Sequence, residues 1–177
     1  MQQRYQQRDG PHGGHRPGGG GGHRPGGGDG RGGGRPRTAA LLDPSREPTV
    51  HYFTDASGKS VLRKELVDGV AEDVAQKLAD LPASQLRRFY GAVIALKRQV
   101  ELDPNLPDDE IQAQLALMKA KAAYTHARGG QVPEELVRFF VRHAKSVRNR
   151  ADFLAFCRHF EAVMAFHKCF EKKDRKS

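Results

Sequence analysis

The side chains in this 177-residue chain whose types and spacing could do chemistry are mostly cationic. Between residues 84 and 101, Arg87, Gly91 and Arg98 fall within about 40° of one another at the helical period. A glycine between two arginines leaves room for a phosphate backbone to approach closely. Arg88 sits further round the same stretch, and Lys97 borders its apolar side, from which it can snorkel outward. Between residues 107 and 128, Leu117, Lys121, Tyr124 and Arg128 recur at i, i+4, i+7 and i+11 and form a single ridge. Lys and Arg neutralise phosphates, and Tyr offers a ring face or a hydroxyl to a base or a ribose. Further on, Arg138, Arg142 and Lys145 lie on the polar side of a helical stretch, with Arg148 and Arg150 just beyond it. The chemistry indicated is the holding of a polyanion.

Catalytic arrangements are not evident. The chain has no GxxxxGK[ST] phosphate loop, HExxH, CxxC or GxSxG. His159 and His167 share a predicted helix with Glu161, but positions 159 and 161 point to different faces, and His167 lies on the apolar stripe, where a core histidine is the commoner case. His12, His15 and His23 stand in a glycine tract whose spacing is poor evidence for a metal site. The reading is therefore not an enzyme, with no cofactor and no metal.

The elements that must position these residues are helices. Residues 152–172 organise the rest: Phe153, Phe156, Cys157, Phe160, Val163, Met164, His167 and Phe170 recur at three- and four-residue steps. A face this wide and aromatic marks the central helix of a bundle. A first helix is predicted over about residues 60–79, on Leu62, Leu66, Val70, Val74 and Leu78, with Gly69 costing it roughly 1 kcal/mol. A second spans about 84–101, with Leu86, Phe89, Val93, Leu96 and Val100 facing inward. The third opens on Pro107 followed by Asp108, Asp109 and Glu110 and closes before Gly129-Gly130. The fourth repeats that opening at Pro133-Glu134-Glu135 and buries Leu136, Phe139, Phe140 and Val147, and Asn149 caps the last. With no alternating strand pattern of any length, the fold expected is all-α, a compact bundle of about five helices.

Composition divides the chain. Residues 1–37 hold 15 of the 20 glycines and the unit HRPGGG twice, with seven Arg against two Asp. Such a segment has nothing apolar to bury and is expected to stay disordered. Two readings of this arm stay open: a passive soluble tail, or an RGG-like arm attracting phosphates. Residues 38–59 form a proline-punctuated linker whose run Val50-His51-Tyr52-Phe53 either docks or stays extended, and 60–177 form the helical domain. The net charge of +9 points to a polyanionic partner, although most of the excess lies in the arm. No apolar run reaches 18 residues, and the N-terminus has no apolar leader, so a cytoplasmic location without a membrane partner is expected. Cys157 and Cys169 would lie roughly 18 Å apart on one helix, too far to bridge, and read as small hydrophobes in a reducing compartment.

Three segments together carry a resemblance. LPASQLRRFY (81–90), AAYTHARGG (122–130) and FLAFCRHFEAVMAFHK (153–168), in this order and at these separations, resemble the small helical subunit of type III-A CRISPR (Csm) effector complexes. The last is the most specific, and the likeness covers about residues 78–172. Pro82-Ala83 replaces the family's usual threonine pair, and Phe166 stands where a tyrosine is typical. The resemblance implies a non-catalytic scaffold whose copies stack in a filament beside the other Csm subunits and line the groove in which target RNA pairs with crRNA. Recognition would be of backbone and duplex shape, with sequence read by base pairing. Matching motif positions supports Arg87, Arg88, Tyr124 and Arg128 as RNA-binding residues, while Lys97, Arg98 and Lys121 are added from the helical faces. Two rivals remain: a stand-alone basic helical nucleic-acid chaperone binding mainly through its arm, and a protein–protein adaptor whose basic faces are merely solvated.

Overall fold

A computed structural model describes residues 37–56 and 59–171. The arm expected over residues 1–37, with its three histidines, lies outside the described residues except for Arg37, which opens a short helix. In chain order the elements are α1 (Arg37–Leu41), β1 (Phe53–Ala56), β2 (Lys59–Leu62), α2 (Gly69–Lys77), α3 (Ala83–Leu102), α4 (Asp108–Ala127), α5 (Glu134–Ser146) and α6 (Arg150–Phe170), with short 3-10 turns at Pro44–Arg46 and Lys64–Val67. The body is a helical bundle, as the periodicity predicts.

The centre is α6. Phe153, Phe156 and Phe160 are fully buried on it, and Cys157, Val163 and His167 extend the same face. Phe160 is the hub: its ring centroid lies 5.1 Å from Phe139 and 5.9 Å from Phe140 on α5, and 5.4 Å from Tyr90 on α3. The Tyr90 and Phe140 rings meet it edge-on, the arrangement aromatic quadrupoles favour. Burial pushes the Cys157 thiol up to about 12, so it stays protonated and packs as a small hydrophobe. Both cysteines are free, and Cys169 is exposed rather than packed.

Local chemistry sets the helix ends. Asn149 Oδ1 accepts from the Asp152 N–H at 2.9 Å, and Asp152 Oδ2 accepts from the Arg148 N–H at 3.1 Å, a reciprocal cap on α6. At the end of α4, Gly129 takes φ +73°, the left-handed conformation in which glycine carries no steric penalty. The Gly130 N–H then reaches the Thr125 carbonyl at 3.0 Å, and the Gly129 N–H that of His126 at 3.1 Å, which together make a Schellman closure.

The N-terminal part departs from expectation. Residues 59–62 pair antiparallel with β1, in the register Phe53↔Leu62 to Ala56↔Lys59, instead of opening a helix. Each strand has four residues, too few for alternation to stand out in the sequence. The first helix therefore starts at Gly69, not near residue 60. Gly69 is its first residue, so the mid-helix penalty expected there does not arise, and Val70 is 41% exposed instead of joining the stripe. The run Val50-His51-Tyr52-Phe53 docks: Tyr52 is 3% exposed and Val50 packs against the core.

Candidate nucleic-acid interface

α3 buries Leu86, Phe89, Val93, Leu96 and Val100, and this places Arg87, Gly91 and Arg98 together on its exposed side. Among the described residues, neither arginine makes an ion pair or a side-chain hydrogen bond. A Cβ built at Gly91 would meet nothing within 4 Å, so this stretch of helix is open to an approaching chain. Arg88 is also exposed and lies about 100° further round, on the side turned toward α4.

Between α3 and α4 runs a cleft of about 260 Å³, lined by Ala92, Ala95 and Gln99 from one helix and Gln114, Leu117 and Lys121 from the other, with Leu96 and Met118 at its floor. Small side chains on α3 make the opening, and Lys121 stands at its edge unpaired among the described residues. One turn later on α4 comes Tyr124, and Arg128 follows at the helix's C-cap. Arg128 Nη1 donates to Tyr124 Oη at 3.1 Å, and its guanidinium carbon lies 5.4 Å from the ring centroid. The two thus act as one unit, a ring with its hydroxyl turned to a cation. Tyr124 is 61% exposed and Leu117 63%, so the ridge anticipated on this helix is present and faces solvent.

Lys97 is set apart from these residues. It lies about 80° from Arg87 on the other flank of α3, half-buried, with its ammonium 3.6 Å from Glu101. Its neighbours line a separate cleft of about 400 Å³ against Phe53, Leu62, Leu154, Ala155 and Arg158.

The basic stripe on α5 is occupied from within. Arg138 and Arg142 bind the two carboxylate oxygens of Glu47, at 3.3 and 3.2 Å, and Lys145 donates to the carbonyls of Pro44 and Glu47. Arg150 turns back to the end of α3, donating to the carbonyls of Val100 and Asp103. Arg148 pairs with Asp152 at 3.6 Å. Sequence reasoning had no signal for Gln99 and Gln114, which carry no charge yet line the cleft between α3 and α4.

The histidines hold the core together. His167 Nε2 bonds the Leu78 carbonyl at 3.0 Å, His159 Nδ1 bonds that of Leu66, and His143 Nδ1 meets the Tyr52 hydroxyl at 2.7 Å. All three are buried, whereas Glu161 is exposed, so no His–Glu pair forms on α6. Among the described residues, no three His, Cys, Asp or Glu side chains come together as a metal site, and no helix is long and apolar enough to cross a membrane.

Against known families, the pattern described as Csm2 Type III-A matches residues 62–173, well over half the chain. The chain belongs to the Csm2 family. It is thus a small subunit of a type III-A CRISPR effector complex, associated with the other Csm subunits and the crRNA complex. No curated protein and no solved structure matches it. The Csm2 match takes in α2 to α6 and all seven candidate residues, Arg87, Arg88, Lys97, Arg98, Lys121, Tyr124 and Arg128. It begins at Leu62, and so leaves out α1, the segment laid across α5, and β1.

Proposed function

We propose that this Csm2 chain is a non-catalytic RNA-binding scaffold, copies of which stand side by side in the cytoplasmic effector complex and line the groove where target RNA pairs with crRNA. The supporting observation is a contrast in how cations are used. Those of α5 and the start of α6 are taken up by internal partners, whereas Arg87, Arg88, Arg98 and Lys121 are exposed and unpaired among the described residues. Exposed cations with no internal partner fit a contact to a phosphate backbone. Tyr124, steadied by Arg128, would lie against a ribose or a base. Lys97, turned away, has the weakest case of the seven.

The test is a triple charge reversal, Arg87→Glu, Arg98→Glu and Arg128→Glu. Weaker binding to RNA is expected, together with a shallower salt dependence. On a single strand, each phosphate no longer neutralised lowers the slope of log K against log salt by about 0.7. The thermal midpoint should stay near that of the parent, because all three side chains are exposed. Unchanged affinity at moderate salt removes the assignment. Deleting residues 1–36 separates the scaffold from the chaperone: affinity is largely kept in the first and lost in the second.

A further inference from the structure

Residues 43–53 lie across α5 as a strap, and the way it is held is unusual. Leu41 and Tyr52, at either end, are buried. Between them the strap buries no apolar side chain fully, and the one fully buried residue there is the acid Glu47, 5% exposed. Polar groups do the holding. Glu47 Oε1 and Oε2 bind Arg138 and Arg142 at 3.3 and 3.2 Å, and Lys145 Nζ takes the Pro44 and Glu47 carbonyls at 3.2 and 3.0 Å. Ser146 Oγ accepts from the Val50 N–H at 2.8 Å. Glu134 and Glu135 complete the set, at 3.7 Å from Arg138 and 2.6 Å from Arg142.

We propose that the α5 face of Arg138, Arg142 and Lys145 is a second phosphate-binding surface, which the strap occupies in the free protein and RNA takes over when the strap lifts. The inference rests on the reading that this chain binds RNA. The three cations follow one another at i, i+4 and i+7, on one helix face. Glu47 gives each arginine one oxygen, and two carbonyl oxygens meet the lysine. This is the set of acceptors that two successive phosphates would supply, with more charge. Desolvating Glu47 offsets much of what its ion pairs return, so the strap can be exchanged for an anion that keeps the same cations satisfied. Lifting residues 43–50 frees the partly buried Val50 but leaves Leu41 and Tyr52 seated.

The experiment uses the full chain and a single-stranded RNA oligonucleotide. Glu47→Gln removes the strap's own charge from the two arginines and leaves Glu134 and Glu135 in place. Affinity is expected to rise about tenfold at moderate salt, and the slope of log K against log salt to steepen by about 1.4, for two further phosphates neutralised. Adding Arg138→Gln and Arg142→Gln should abolish the gain. Equal affinity and slope in the Glu47→Gln and parent proteins, or a gain that survives loss of both arginines, overturns the proposal.

A second measurement covers the case in which the substitution disturbs folding. In the unmodified protein, RNA should accelerate hydrogen exchange at the Val50 amide. Slower or unchanged exchange there also overturns it. Failure of the groove reading would look different. The triple reversal at Arg87, Arg98 and Arg128 would then leave the parent's affinity unchanged, while the gain from Glu47→Gln persisted.

Discussion

His143 and His159 sit with ring centroids 5.1 Å apart inside the core, both against Phe139 and His143 also against Phe156. Burial, with the neighbouring His159 and Arg142 charges, holds His143 well below the usual imidazole range. Burial lowers His159 as well, only partly opposed by its bond to the Leu66 carbonyl. Their unfolded-state value is about 6.5, so as the pH falls through that value the unfolded chain takes up protons that the folded core refuses. Stability is therefore full above about pH 7.5 and declines below 6.5, His143 adding a slope that tends to about 1.4 kcal/mol per pH unit and His159 acting in the same direction. Urea melts at pH 7.5, 6.5 and 5.5 check this. A midpoint that does not move over this range would mean the two rings are not buried neutral.

At the level of the element, α3 is built with one side for the core and one left open. Gly91 is exposed in its middle with space around it, so nothing in the fold requires a glycine there. Gly91→Ala should raise stability by about 1 kcal/mol through helix propensity alone. If an RNA backbone passes between Arg87 and Arg98, the added methyl group weakens binding at the same time. Chemical denaturation paired with RNA titration reads both effects, and a more stable variant with unaltered RNA affinity takes Gly91 out of the interface. The face of α3 was legible in the sequence because Leu86, Phe89, Val93, Leu96 and Val100 keep one period over the whole helix. The hairpin before α2 was not, since strands of four residues have no period to detect and what joins them is hydrogen bonding between segments.

For the molecule as a whole, one aromatic core joins α3, α5 and α6 through Phe160. Phe160→Ala should cost about 3–5 kcal/mol, the range for emptying a large buried ring site. Thermal and chemical unfolding followed by circular dichroism measure it. A loss below about 1 kcal/mol would show that the surrounding rings collapse into the space and that the hub is shared. The same core explains why the cleft between α3 and α4 keeps its shape: both helices are held from beneath by residues such as Leu96 and Met118, and Lys121 is carried on a rigid support.

The sequence by itself determined α3 to α6, the inward faces of α3, α5 and α6, the caps at Asn149 and Gly129-Gly130, the central place of α6, and the resemblance that the Csm2 match bears out. These are properties of residues within a few turns of one another, where period and capping chemistry act. Tertiary structure alone decided which cations are free. Arg138 and Arg142 look no different in sequence from Arg87 and Arg98, yet their partner Glu47 lies 91 and 95 positions away. Periodicity can say that a charge faces outward. Whether an acid from a distant segment meets it there depends on how the chain is laid across the bundle, and that placement is a sum of interactions no local pattern encodes.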